Sequence, residues 1–397
     1  MNLKRQFFFL HIYNFLVSFR VADGVWVVFL LARGFSLAQV GIAEGVFHVV
    51  SFLCEVPSGM LADLVGRKRT LALSGLFGML SALARAFSQD FFGVCLSMAF
   101  QALMYNLCSG TQEALTYDSL KAVGQESSYL KRNAWLMGAS QASASLSSLL
   151  GGAAALLGFF PAYLITAACS AVCASAAFAL VEPQVTEAQR RRTEHPFAQL
   201  GPRFRAHLRE SWGFFRRSPR TAYKILASAA AATPIYLTFM YLQQHLLGGG
   251  LPELFLGAAL MVSRLAGTAG MALSTKVKGR LFPLAVGCGL FCGIATCLAG
   301  AAWWPLSLLG GALAELVFSV LDLRVDAALN DDFPSDQRAT LVSVRSMVYS
   351  LLMIAASPAA GAVGDVFGAS YVFVFLGLGL AVCTAAGALW CHRRYRA

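Results

Sequence analysis

The sequence predicts an all-α membrane protein: twelve transmembrane helices in two pseudo-symmetric six-helix bundles. Its 397 residues are 57 % hydrophobic and only 13 % charged, with a mean hydropathy of +0.64. A soluble domain of ordinary composition carries about 25 % charged residues. Too few polar side chains are therefore present to cover a water-facing shell, and lipid must be the solvent for most of the chain. Apolar stretches of bilayer-spanning length recur from end to end, and the basic residues gather in alternate loops between them.

A bilayer core requires about 20 residues of helix. Stretches of that kind fall at 7–31, 37–63, 70–88, 91–115, 133–157, 160–181, 223–247, 251–273, 281–300, 304–329, 339–361 and 368–391. The first resembles a signal peptide after Lys4-Arg5, but it contains Arg20 and Asp23 and lacks a small-x-small cleavage site, so it reads as a retained span. Turn signals separate the rest, among them Gly34, Gly158 to Pro161, Gly248 to Gly250 and Trp303 to Pro305. Residues 182–222 are polar and Arg-rich, and read as a cytoplasmic linker with an amphipathic helix on the membrane surface. The linker divides the chain into an N-terminal bundle (1–181) and a C-terminal bundle (223–397).

Charge placement orients this layout. Of the 31 Lys and Arg, only Arg33 and Arg85 fall on the side opposite the termini, and Arg20, Arg264, Arg324 and Arg345 lie within spans. All the others share the side of the two termini. By the positive-inside rule both termini are cytoplasmic, as in a multi-pass protein of the plasma (inner) membrane. The net charge of +11 is then a topology signal rather than a nucleic-acid footprint. The ten cysteines sit mostly in apolar runs without a CxxC and read as packing residues. No cofactor and no metal is expected.

Between the second and third spans stands Glu55-Val-Pro-Ser-Gly59-Met-Leu-Ala-Asp63-Leu-Val-Gly66-Arg67-Lys68. This resembles the signature loop of the major facilitator superfamily, Gly-x-x-x-Asp-x-x-Gly-Arg-Lys/Arg, at the place where that family carries it. The end of span 4, Ser109 to Lys121 with Glu113 and Asp118, resembles a bacterial drug-efflux-like subgroup. The resemblance covers essentially the whole chain. It implies a cytoplasmic gate built from Gly59, Asp63, Gly66, Arg67, Lys68, Glu113, Asp118 and Arg345. On physical grounds Asp63 stands at a helix C-terminus, where the dipole repels a carboxylate, and requires a cation or another helix's N-terminus. Arg67 is one turn on, and span 11 begins on the same side. Gly59 and Gly66 permit close backbone approach. The sequence departs from the family in three places: Ser274 to Arg280, the counterpart loop, lacks an aspartate; span 4 lacks an arginine; and span 5 has Gly151-Gly152 near the place of the exporters' Gly-Pro motif.

Charges at membrane depth are costly and mark cavities or partners. At a rise of about 1.5 Å per residue, Arg20, Asp23, Arg264 and Glu315 lie near mid-membrane or further out. In span 2, Glu44, His48, Ser51 and Glu55 share one helix face and form a titratable stripe. Span 4 offers Gln101, Tyr105, Cys108 and Gln112 on one face, and span 7 offers Tyr236. These are the candidate substrate and proton-coupling groups. Structural readings stand beside them: Arg20 and Asp23 neutralising each other along one helix, Glu315 paired with Arg264, Glu44 idle at headgroup level, and Arg345 snorkelling to the interface. Span 5 carries two rows of small residues, Ala139-Ser143-Ser147-Gly151 and Ser140-Ala144-Ser148-Gly152, which suit close helix packing.

The expected function is secondary active transport of a small, amphiphilic solute by alternating access, as proton-coupled efflux; the alternative is proton-coupled uptake of a small polar metabolite. A membrane-embedded enzyme would need a reactive motif, and HExxH, GxSxG and GxxxxGK[ST] are absent from the sequence. A channel conflicts with the latch-like loop. The expected partners are the solute, protons or another coupling ion, and the lipid bilayer; nucleic acid is excluded and the chain is expected to act as a monomer.

Overall fold

The computed structural model describes residues 2–21, 23–185, 216–332 and 338–395, together with positions 201–202, 205–206, 209 and 213. Most of the expected surface helix in the 182–222 linker lies outside the described residues. Every regular element among the described residues is helical. Among the described residues, eleven segments are long and apolar enough to cross a membrane. The twelfth expected span is a 29-residue helix, Tyr129–Leu157, whose serine and glycine rows make it the least apolar of the set.

Contacts divide the chain into two compact units that are discontinuous in sequence. The first holds residues 1–24 and 46–209, and the second holds 25–45 and 210–397. One helix, α3 (Leu37–Val65), contributes its first nine residues to the second unit and the remainder to the first.

The first unit contains α1 (Leu3–Ser18), α4 (Arg67–Phe87), α5 (Phe91–Cys108), α6 (Thr111–Lys121), α7 (Tyr129–Leu157) and α8 (Phe159–Ala179). Leu10, Tyr13, Leu71, Leu115, Leu136 and Cys173 form its best-buried core. Two expected spans are interrupted here. Span 1 is not one helix: α1 stops at Ser18, a single 3₁₀ turn covers Asp23–Val25, and α2 (Trp26–Ala32) follows in the second unit. Span 4 breaks at Ser109-Gly110 between α5 and α6.

A helix that ends inside a membrane leaves carbonyls that lipid cannot satisfy. The small-residue rows of α7 answer that need. Ser143 Oγ donates to Phe15 O at 2.6 Å, Ser140 Oγ donates to Asn14 O at 3.1 Å, and Ser147 Oγ accepts from Arg20 N at 3.0 Å. The rows thus support the unwound end of α1 with hydroxyl groups as well as by close packing.

The second unit contains α2, the start of α3, and α9 (Pro219–Gly248), α10 (Glu253–Ser274), α11 (Leu281–Ala299), α12 (Trp304–Asp332), α13 (Arg338–Phe367) and α14 (Ala369–Tyr395). Ser36 and Gln39 form a reciprocal capping box at the head of α3. Asp365, from α13, accepts from Leu37 N and Ala38 N, both at 2.9 Å. Four free N–H groups at one helix end are therefore all satisfied. The two helices touch backbone to backbone beside this cap: a Cβ on Gly41 would stand 2.2 Å from Ser357 O, and one on Gly361 would stand 2.2 Å from Leu37 O. Ser357 Oγ donates across the crossing to Gly41 O at 3.0 Å.

The crossing yields a stability prediction. Gly361→Val must push α13 from α3, and overpacking of this kind costs about 1–3 kcal/mol. Gly138 in α7 has open space at its Cβ position, so Gly138→Ala should be neutral or stabilising by about 0.5–1 kcal/mol. Thermal unfolding of the purified protein in detergent checks both; equal midpoints for the two variants would contradict the crossing.

Candidate functional site

The densest polar cluster in the first unit forms at the break in span 1. Arg20 Nε donates to Asp23 Oδ2, and Arg85 Nη1 approaches Asp23 Oδ1 at 3.5 Å. Gln101 closes the ring: its amide Nε2 donates to Asp23 Oδ2 at 3.3 Å, and its Oε1 accepts from Arg85 Nη2 at 2.7 Å. Arg85 Nε donates to Ser97 Oγ at 2.8 Å, and its guanidinium lies 5.9 Å from the centroid of the Tyr163 ring. Sulfur atoms of Met104 and Met98 complete the walls beside Arg20 and Arg85. The side chain of Arg85 is 3 % exposed, that of Arg20 11 % and that of Asp23 22 %, so the carboxylate is the most open member. Two guanidiniums share one carboxylate here, in a segment otherwise built for lipid.

Three corrections to the sequence reading follow. Arg20 and Asp23 do pair, but not within one helix: Arg20 lies beyond the end of α1 at Ser18, and Asp23 begins a 3₁₀ turn. Arg85, counted with the far-side basic residues, lies within α4, which continues past it to Phe87, and it faces the cluster. The span 4 face is divided: Gln101 joins this ring, whereas Tyr105 is 52 % exposed and tilts against Phe47.

The span 2 stripe is divided as well. Glu44, His48 and Ser51 are buried, but Glu44 belongs to the second unit and is a hydrogen-bond neighbour of Tyr236. Ser51 belongs to the first unit: its Oγ donates to Asn106 Oδ1 at 2.9 Å, and Asn106 Nδ2 donates back to Ser51 O at 2.7 Å. Glu55 and Glu113 are the carboxylates acting on Tyr105, and Glu113 Oε2 is buried without a hydrogen-bond partner among the described residues. In the second unit Arg264 lies 4.7 Å from the centroid of Phe239 and is the electrostatic partner of the half-buried Glu315.

The expected gate residues fall into two sets. In the first unit Gly66, with φ 106°, turns the chain between α3 and α4. Arg67 then pairs with Asp118 and donates to Ala114 O at 2.7 Å. Glu182 spans the N-terminus of α4, accepting from Arg67 N at 3.0 Å and Lys68 N at 2.7 Å, where the helix dipole favours a carboxylate. The cation anticipated for Asp63 is thus engaged by Asp118. Gly59 has no atom of the described residues within 4 Å of its Cβ position. In the second unit Arg345 does not snorkel; it donates to Asp322 and Asp326 of α12, both at 2.6 Å.

Sequence reasoning missed Arg85, Asn106, Glu182, Asp322, Asp326 and Asp365. Only Asp322 and Asp326, four apart in an apolar run and therefore on one helix face, carried a visible signal. No cluster of three or more metal-ligating side chains occurs among the described residues.

The sequence profile of the Major Facilitator Superfamily matches residues 12–321. The uncharacterized MFS-type transporter YxaM of Bacillus subtilis (strain 168) is 24 % identical over 369 residues, covering 90 % of this chain and 88 % of that protein. Among solved structures, the nucleoside transporter NupG superposes with a TM-score of 0.72 at 15 % identity, covering 98 % of this chain and 99 % of that one. A D-xylose–proton symporter gives 0.69 at 10 % identity, covering 98 % and 97 %. A POT family transporter in complex with a thioalcohol-conjugated peptide gives 0.69 at 11 % identity, covering 98 % and 96 %. The chain belongs to the major facilitator superfamily. It is a multi-pass membrane protein and a secondary transporter for a small-molecule substrate.

The ring around Asp23 predicts a pattern of rescue. Asp23→Asn leaves Arg20 and Arg85 facing each other and should destabilise the protein by about 3–5 kcal/mol. Adding Arg85→Met to Asp23→Asn should recover most of the thermal stability without recovering transport. Recovery of both in the double variant would make the cluster purely structural.

Proposed function

We propose that the protein is a proton-coupled importer of a small polar solute, with the Asp23 ring as the polar contact site of its N-terminal half. The observation that carries this reading is the ring itself. Its donors and acceptors are fixed by neighbours, its carboxylate is the most open member, and it holds one more cation than anion. A site of that kind rewards hydrogen-bonding solutes, which match fixed polar groups, over amphiphiles that need broad apolar walls. The fold relatives point the same way, since by name they handle nucleosides, D-xylose with protons, and peptides. The amphiphile export suggested by the Ser109 to Lys121 resemblance finds less support in these groups.

Asp23 and Glu315 are the membrane-depth carboxylates proposed to carry the coupling proton. On this reading both termini face the cytoplasm of a monomeric plasma-membrane protein, and alternating access breaks and remakes two polar clasps. One is Arg67–Asp118 with Glu182 in the first unit; the other is the Asp365 cap on α3 in the second.

Proteoliposomes given an acid exterior and labelled nucleosides, pentoses and short peptides test the proposal. One class should accumulate above equilibrium, and a protonophore should abolish the accumulation. Extrusion of amphiphilic dyes with no uptake of any polar class would reverse the assignment.

The clasp adds a kinetic expectation. Asp118→Asn frees Arg67 from a partly buried charge pair and should slow uptake by about tenfold or more, the equivalent of about 1.4 kcal/mol of barrier, while solute binding persists. Wild-type uptake rates in that variant would remove Asp118 from the gate.

A further inference from the structure

The second unit contains a cavity of about 650 Å³. It lies where the N-terminal ends of α9 and α11 meet α12 and the last turns of α14. Arg220, Lys224 and Arg280 edge it, and Leu281, Phe282 and Val325 are among its apolar walls. Neither α9 nor α11 has an acidic residue in its first turn, and Arg280 is itself the N-cap of α11. Two positive helix ends and three cations therefore converge on one mouth. Lys224 shares Asp332 with Thr221, at 2.9 Å for each contact, and the cavity lining itself holds three basic side chains and no carboxylate among the described residues. Tyr223, on the wall, stacks on Trp390 with centroids 5.4 Å apart, the kind of aromatic pair that marks a membrane–water boundary.

An apolar slot beneath a cationic rim fits one ligand chemistry: a phosphate-bearing headgroup attached to acyl chains. The rim belongs to the face that the basic loops assign to the cytoplasm, the face where anionic lipid is met. We propose that this crevice binds an anionic phospholipid of the inner leaflet, with the phosphate on Arg220, Lys224 and Arg280 and one acyl chain along Leu281, Phe282 and Val325. The lipid fills a wedge between four helices and ties the ends of α9 and α11 to the bilayer.

The test uses the full-length protein in a neutral detergent, with binding read by native mass spectrometry. Phosphatidylglycerol, phosphatidylcholine and inorganic phosphate are titrated separately. Phosphatidylglycerol should bind about tenfold or more tightly than phosphatidylcholine, and inorganic phosphate should not compete at equal concentration. Each of Arg220→Gln, Lys224→Gln and Arg280→Gln should weaken phosphatidylglycerol binding about fivefold, and the three together about a hundredfold. Lys121→Gln with Lys131→Gln, on the first unit, should bind as the wild type does. Equal affinity for the two lipids, or wild-type affinity in the single variants, would overturn the proposal. Full competition by inorganic phosphate would assign the rim to a free anion and overturn the lipid assignment. The single variants each keep two cations, so the test stands even if the triple variant does not survive purification.

Discussion

One carboxylate shared by two arginines in a membrane-spanning segment constrains most of the N-terminal unit. Removing the carboxylate from such a group leaves two guanidiniums uncompensated in a low-dielectric setting. The neighbouring structure serves that constraint. Arg20 and Asp23 meet at the break after Ser18, outside any shared helix. Serines of α7 supply the hydrogen bonds that the unwound backbone has lost. α4 and α5 deliver Arg85, Ser97 and Gln101 to one point. A cluster held this tightly on several sides is preorganised, which suits recognition of a solute that must form and release polar contacts in every cycle.

The all-helical membrane architecture was legible because composition, span length and loop charge are summed properties, insensitive to any one residue. The site was legible only in part. Asp23, Arg20 and Gln101 stood out as polar residues in apolar runs. Arg85 did not, because it precedes Phe87-Ser88-Gln89-Asp90, and a lone arginine before a polar turn reads as a charge at the far membrane edge. The unwinding of span 1 had no sequence signal either; no proline or glycine stands between Ser18 and Asp23, and the break depends on hydroxyls contributed by α7. Spacing along a helix placed Glu44 and Ser51 on one face correctly. It did not reveal that the first nine residues of α3 and the rest belong to different compact units.

The same limit applied to the gate. The signature loop identified Arg67 and Asp63 as neighbours in sequence, but the pair formed by Arg67 is with Asp118, about fifty positions away. Glu182, beyond the end of α8, supplies the cap for α4. Asp365 does the same for α3 in the second unit. In both units a carboxylate distant in sequence satisfies the N–H groups that begin a span. Such caps are strong while seated and are lost entirely when the helix end moves, so they suit a protein that alternates between packed arrangements.

The most direct test of the central claim is equilibrium binding of the transported solute to Gln101→Ala. This substitution removes the amide that links Arg85 to Asp23 and leaves all three charges in place. If the ring is the polar contact site, the dissociation constant should rise about tenfold or more, as expected when polar groups built to pair with a solute are left misaligned, while the protein still purifies as a folded monomer. Unchanged solute affinity in a well-folded Gln101→Ala protein would contradict the account and move the site away from Asp23.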